Sequence, residues 1–173
     1  MRTISYSVFI RCLVLLSSFS VAKKITSESI RLEKLELLAL EKNVTGKNYV
    51  YDLAKMKDCN KTKIKYLGFI KTKSGKQYKI LTSFYVFRAA STCHGTSNIK
   101  VYDINNKYVG KYYVGMPEEL PEKIIQNKIL IWSKSKDCEM RKEFSVNLEN
   151  GLSENIFIPC SKSGGYQYSF STE

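Results

Sequence analysis

The sequence predicts a mostly β fold: a meander of antiparallel hairpins forming a small barrel or a sandwich, with at most one N-terminal helix. After about residue 48, stretches rich in β-branched and aromatic residues recur, separated by turn segments that contain Gly or Asn. Segments joined by such short turns pair as antiparallel neighbours. The chain also carries 12 Tyr and 8 Phe, which are enriched in strands.

The single helix is predicted over residues 26–42, where Leu, Glu, Lys, Ala and Arg dominate and all favour helices. Leu32, Leu35 and Ala39 have the spacing of one helical face. The alternation of apolar and charged residues at 30–33 is also typical of a strand. A strand therefore remains the alternative for this segment.

Four hairpins and a final strand are predicted for the rest of the chain. The paired segments are 63–72 with 77–88, 98–103 with 108–114, 122–125 with 128–132, and 142–148 with 155–159. The final strand, 164–170, places Tyr166, Tyr168 and Phe170 on one face, which favours a position at the core. Trp132 is expected in the core because its strand is apolar on both faces.

The N-terminus predicts export. Arg2 and Arg11 precede an apolar run at 12–19 and small residues at 20–22, the pattern of a signal peptide over residues 1–22. A buried N-terminal helix is the alternative. Residues 23–173 are then expected to form a single secreted β-rich domain, either extracellular or periplasmic. No other apolar run reaches the roughly 20 residues that a transmembrane helix needs.

The charge balance has two interpretations, a solvated lysine face and a surface for an anionic partner, and the partner is kept as a hypothesis. The sequence has 28 basic and 16 acidic residues, a formal net charge of +12. Such a charge attracts an acidic protein or an anionic polymer. Most of the basic residues are lysines, whereas bidentate phosphate and base recognition favours arginine, and no nucleic-acid motif is present. A solvated lysine face with no partner is the alternative.

The candidate partner site lies on the first hairpin. Lysines there alternate with Thr62, Ile64 and Tyr66, so in a strand they share one face. The residues predicted to bind an acidic protein or an anionic polymer are Lys61, Lys63, Lys65, Lys71 and Lys73. Glu118, Glu119 and Glu122, between two prolines, are expected to lie in a polar loop.

Four cysteines follow the signal segment, and an even number in an exported chain predicts disulfides. Three pairings are possible. The register of the first hairpin brings residue 59 near residue 93, and the fourth hairpin lies between residues 138 and 160. We therefore predict the bridges Cys59–Cys93 and Cys138–Cys160.

Two groups of residues in the sequence are candidates for catalysis. His94, the only histidine, directly follows Cys93, but neighbouring residues of a strand point to opposite faces, so a thiolate–imidazole pair is not expected. A glycoside hydrolase needs two facing carboxylates. The acids available for that role are Asp52, Asp58, Asp103, Glu118, Glu119, Glu122, Asp137 and Glu139.

No metal site and no cofactor are predicted, because one histidine and no C-x-x-C pattern give no usual ligand set. The sequence therefore favours a non-enzymatic, extracytoplasmic interaction module, such as an inhibitor or immunity protein that binds an exported enzyme. The alternatives are a small secreted hydrolase that uses a carboxylate pair or Cys93, and a low-specificity binder of acidic cell-surface glycans.

Overall fold

The computed structural model describes residues 27–52, 59–133, 138 and 143–173; the predicted signal segment, 1–22, lies outside them. One α-helix, ten strands and one 3₁₀ turn follow in order. They are α1 (Ser27–Lys42), β1 (Asn48–Asp52), β2 (Lys61–Lys71), β3 (Gln77–Ala89), β4 (Thr92–Asp103), β5 (Tyr108–Tyr113), η1 (Pro117–Glu119), β6 (Lys123–Ile125), β7 (Ile129–Trp132), β8 (Phe144–Asn147), β9 (Asn155–Pro159) and β10 (Gly165–Ser171).

The strands form two antiparallel sheets. The large sheet has the order β1-β2-β3-β4-β5-β10-β9 and the small sheet the order β6-β7-β8. Strands take up 53% of the described residues, which confirms a mostly β, antiparallel fold with a single α-helix. Each sheet ends in two separate edge strands, so no closed barrel forms in the part of the chain that the structure describes.

The first three predicted hairpins are confirmed, and the fourth is wrong. β2–β3, β4–β5 and β6–β7 pair as the turn segments indicate. β8 and β9 do not pair with each other, because β8 extends the small sheet beside β7 while β9 pairs with β10 in the large sheet. The segment around residues 149–153 is therefore a connection between the two sheets.

Two apolar cores lie on the two faces of the large sheet. The first lies between the sheets: Trp132 and Leu130 of β7 pack with Ile80, Ile99 and other residues of the large sheet. The second lies under α1. Its buried residues are Ala39, Leu40, Tyr49, Ile64, Tyr66, Leu81 and Tyr102.

Both core predictions for aromatic residues are confirmed. The Trp132 side chain is fully buried, and its Nε1 donates a hydrogen bond to the Glu119 carbonyl oxygen at 2.8 Å. On β10, Tyr168 is buried, and Tyr166 and Phe170 are half-buried against the same core. Their alternation therefore marks an inward face of the strand.

Most of the segment between the predicted strands 77–88 and 98–103 is also strand, because β4 begins at Thr92 and forms a two-stranded ribbon with the end of β3. Phe87 pairs with His94 and Arg88 with Cys93, beyond the last β2 partner at Val86. Ala90, in the turn, has a φ of 53°. Turns that match the twist of a hairpin need such a left-handed residue, usually Gly or Asn, so this turn carries no sequence signal. No described helix is long and apolar enough to cross a membrane.

Candidate functional site

Both predicted disulfides are present, but neither joins the two strands of a single hairpin. Cys59 and Cys93 have Cα atoms 5.8 Å apart, and Cys138 and Cys160 have Cα atoms 4.5 Å apart. Cys93 lies on β4, so its bridge ties the segment before β2 to the ribbon on the far side of β3. The second bridge ties the segment after β7 to the end of β9, and so joins the two sheets.

The disulfide removes the thiol that a Cys93 nucleophile would need. The neighbouring imidazole has a separate environment. His94 Nε2 lies 2.8 Å from Thr92 Oγ1, and its ring lies 6.0 Å from that of Phe87. The Cys93–His94 pair is therefore a disulfide anchor next to an exposed ring on a hairpin end.

The predicted lysines occupy three different settings. Lys65 lies between Ile64 and Tyr66, which face α1, so it points to the face that carries the small sheet. Lys61 and Lys63 share that face. A bulge after Tyr66 shifts the register, and Ile70 then reaches the inter-sheet core. Lys71 consequently points to the opposite face, and Lys73 lies in the turn that follows β2.

Several of these lysines have partners within the chain. The Nζ of Lys61 lies 3.8 Å from the Asp52 carboxylate, and the Nζ of Lys65 donates to the Glu122 carbonyl oxygen at 2.8 Å. Lys63, between them, is exposed and forms no hydrogen bond or ion pair with any described residue. Lys63 is thus the one cation of this trio without a partner among the described residues.

Lys73 also has a partner in the chain. Its Nζ lies 3.0 Å from Glu149, and Lys128 approaches the same carboxylate at 3.2 Å. Hydrogen bonds from these two lysines hold the pKa of the Glu149 carboxyl below its ordinary value. The cluster lies at the turn after β2, away from the lysines that point toward the small sheet.

A cleft of about 290 Å³ opens between the two sheets beside the lysine face, and we call it the basic cleft. One wall is the large sheet, with Lys63, Lys65, Thr82 and Phe84. The other wall is the segment 117–122, where Pro117 starts the 3₁₀ turn. The remaining lining residues on that side are Glu118, Leu120, Pro121, Glu122 and Ser133, and Asn48, the first residue of β1, adds to the wall of the large sheet.

The three glutamates predicted for a polar loop lie in a segment of one 3₁₀ turn and irregular backbone, and their carboxylates have different surroundings. Glu118 and Glu122 line the basic cleft opposite the lysines, and the Glu122 carboxylate accepts a hydrogen bond from Ser133. The Glu119 carboxylate accepts a hydrogen bond from Tyr168 at 2.9 Å. The cleft therefore carries both signs of charge, each on its own wall.

The strands behind the cleft are free of acidic side chains. Residues 59–102, which contain β2, β3 and all of β4 except its last residue, Asp103, carry eight lysines and one arginine but no Asp or Glu. Among the described residues, the carboxylates that approach this stretch come from other elements: Asp52 from β1, Glu122 from the 117–122 segment, Glu36 from α1 and Glu149 from the segment after β8. The centre of the large sheet is thus a source of positive potential.

The other candidate carboxylates do not converge on one centre. Asp103 accepts hydrogen bonds from the backbone N–H groups of Asn105 and Lys107, which fixes the β4–β5 turn. Asp58, Asp137 and Glu139 lie outside the described residues. Within the described ranges, no three His, Cys, Asp or Glu residues lie close enough together to hold a metal ion.

Glu36 is a buried acidic residue that is not among the site residues predicted from the sequence. Its side chain is 1% exposed, and its Oε2 accepts hydrogen bonds from Lys100 at 2.7 Å and Tyr102 at 2.8 Å. The signal was available, because Glu36 falls four residues from Leu32 and from Leu40 and so lies on the apolar stripe of the helix.

The comparisons give no relative for this chain. No protein-family model, no curated protein and no solved structure matches it significantly. Any function must therefore be argued from the residues and the geometry of the molecule itself.

Proposed function

We propose that this protein is a non-enzymatic binding module that works outside the cytoplasm and holds an acidic segment of another protein in the basic cleft. The observation that carries the proposal is Lys63, which has no partner among the described residues and lines a cleft between the sheets beside Phe84. A lysine ammonium beside an aromatic ring in a cleft is suited to bind a carboxylate whose neighbouring side chains are apolar. An inhibitor or immunity protein that engages an exported enzyme is the narrower form of this proposal.

The composition of the cleft favours a protein over a dense polyanion. Phe84, Leu120 and two prolines supply apolar surface, which a sulfated or phosphorylated polymer does not use. Glu118 and Glu122 on the facing wall repel closely spaced negative charges. A partner that alternates carboxylates with apolar side chains satisfies both walls.

The place of action follows from the disulfides and the N-terminus. Two disulfides are typical of proteins that fold in an oxidising compartment. The signal-like pattern over residues 1–22 supports export. Both bridges connect elements around the large sheet, so they favour a rigid surface, and rigidity lowers the entropy cost of binding.

The test uses a peptide of alternating glutamate and leucine as the probe, with heparin as the polyanion. The variant Lys61→Gln/Lys63→Gln/Lys65→Gln should slow association with the peptide about tenfold at low ionic strength. Its matched control replaces three exposed lysines that do not line the cleft: Lys34→Gln, Lys107→Gln and Lys162→Gln. The control should change the association rate much less, although the net charge of the two variants is equal.

A second substitution gives a result of opposite sign. Glu118→Gln removes a negative charge from the facing wall and should strengthen peptide binding. Equal slowing in the two triple variants would show a non-specific charge effect and refute the cleft. Heparin binding that exceeds peptide binding at about 0.15 M salt would favour the acidic-glycan alternative instead.

One observation keeps a carboxylate-pair hydrolase as a second candidate function. Glu118 and Glu122 line the same cleft, as two carboxylates of a glycoside hydrolase must. Turnover of a glycan panel by the unmodified protein, abolished by Glu118→Gln, would support this function. No turnover, together with normal peptide binding, would remove it.

A further inference from the structure

A second cavity lies on the opposite face of the large sheet, between α1 and strands β4 and β5. Its volume is about 400 Å³. The helix contributes Ser29, Leu32, Glu33 and Glu36, the strands contribute Lys100, Tyr102, Tyr108 and Lys111, and Glu173 lies at the rim. We call it the helix cavity. The basic cleft shares none of these residues.

The helix cavity holds a buried carboxylate that is only half satisfied. Lys100 and Tyr102 both donate to Oε2 of Glu36. Oε1 of Glu36 is also buried and accepts no hydrogen bond from any described residue. A buried carboxylate oxygen without a donor is costly, because it has lost its water and gained nothing in return. Because Glu36 lines the helix cavity, a ligand bound there lies next to the carboxylate that lacks this donor.

The surrounding charges select the kind of donor. Three carboxylates, Glu33, Glu36 and Glu173, face two lysines, so the lining has one negative charge more than it has positive charges. An anionic ligand is disfavoured there, and a single positive charge balances the lining. A charged donor also forms a shorter and stronger hydrogen bond to a carboxylate than a hydroxyl does.

The aromatic floor favours the same choice. The rings of Tyr102 and Tyr108 meet edge to face with centroids 5.8 Å apart. Both tyrosines remain neutral: burial, followed by the charge of Glu36, raises the pKa of Tyr108 to about 12 and raises the pKa of Tyr102 further. Neutral phenol rings present π faces that attract ammonium groups.

We propose that the helix cavity is a binding site for a small organic molecule with a primary ammonium group, which donates to Oε1 of Glu36 and packs against Tyr108. This site is independent of the basic cleft, since it lies on the other face of the sheet and takes a ligand of opposite charge. Either proposal can therefore fail while the other stands.

The test compares amines with neutral compounds of the same shape. The probes are 1,4-diaminobutane against 1,4-butanediol, and glucosamine against glucose, titrated into the intact disulfide-bonded protein. Binding is followed by the NMR signals of the tyrosine rings and by calorimetry. We expect saturable binding of at least one amine, with shifts at Tyr102 and Tyr108, and no binding of its neutral counterpart.

Three variants locate the site. Glu36→Gln should weaken amine binding about tenfold to hundredfold, because it removes the charged acceptor. Glu41→Gln is the matched control: this exposed glutamate on the same helix does not line the cavity, and its variant should bind like the parent. Leu32→Trp fills the cavity while leaving Glu36 intact, so it gives an independent result if Glu36→Gln does not fold.

The outcomes are distinct. Amine binding that is lost in Glu36→Gln or Leu32→Trp and kept in Glu41→Gln supports the proposal. Equal binding of amines and diols, or no binding of either, overturns it, as does amine binding that persists when the cavity is filled.

Discussion

Replacing Lys100 by methionine is expected to destabilise the protein strongly. The side chains of Lys100 and Glu36 are 16% and 1% exposed, and their charged atoms lie 2.7 Å apart. Without the ammonium, the buried carboxylate keeps only the Tyr102 hydroxyl as a donor. Breaking a buried pair from one side costs about 3–5 kcal/mol, and the partial exposure of Lys100 places the expected loss near the lower end, about 3 kcal/mol.

The double variant Glu36→Leu/Lys100→Met should recover most of that loss. Removing both charges abolishes the desolvation cost, and such replacements are often neutral. Urea denaturation of the parent protein, the two single variants and the double variant, without reductant, gives the double-mutant cycle. Lys34→Met, at an exposed position of the same helix, serves as the control and should change the free energy of unfolding by less than about 0.5 kcal/mol.

A loss of less than about 1 kcal/mol in Lys100→Met would refute the buried pair. The same conclusion would follow if the double variant were as unstable as the single one, since the cost would then come from lost packing rather than from an uncompensated charge.

Three further predictions concern the stability of the fold. Because burial raises the pKa of Tyr108 from 10.0 to about 12, the unfolded chain loses this proton first, and stability should fall as the pH rises from 10 to 12. Urea titrations at several pH values measure the effect, which should be smaller in Tyr108→Phe but still present, because burial also raises the pKa of Tyr102 and Tyr112; an unchanged pH dependence in Tyr108→Phe would contradict the contribution of Tyr108. Gly110→Ala should cost about 1–3 kcal/mol, since an added Cβ would lie 2.7 Å from the Ser171 carbonyl oxygen; an unchanged melting temperature would contradict that crowding. Replacing Cys138 and Cys160 together by serine opens a loop of sequence separation 22 and should cost about 3 kcal/mol in denaturant unfolding, whereas an unchanged midpoint would show that the bridge constrains nothing.

The meander can be predicted from the sequence because each of its hairpins is specified by turn residues that lie between the two paired strands. The Asn-containing turn after Asp103 and the Gly-containing turn at 73–76 each fix the pairing of the strands on either side. The order β5-β10-β9 and the pairing of β8 with β7 join segments distant in the chain. Such contacts depend on how two sheets bury their apolar faces together, which no short pattern records.

The disulfide pairs show how a correct result can rest on incomplete geometry. The register of the first hairpin predicts the Cys59–Cys93 bridge correctly, but it does not predict that Cys93 lies on a strand. The turn of the ribbon contains Ala90 and Ser91 rather than Gly or Asn, and the strand begins with small polar residues. Low β propensity concealed a strand that its partner and its disulfide hold in place.

The sequence predicts only one wall of the basic cleft, the lysine face of β2. The alternation of Lys61, Lys63 and Lys65 correctly predicted that they share a face. Which of them keeps an unpaired charge depends on Asp52 and Glu122, which belong to other elements. The charge of a strand can be counted from sequence, whereas its neutralisation requires the tertiary contacts.

The most direct test of the proposed function is an amide-resolved NMR titration of the disulfide-bonded protein with the glutamate–leucine peptide at low and moderate salt. We expect the largest changes in amide chemical shift at Lys63, Phe84 and Leu120, and we expect these changes to become smaller as salt is added. Shifts that spread evenly over the surface lysines, or that leave these three residues unchanged, would contradict a binding site in the basic cleft.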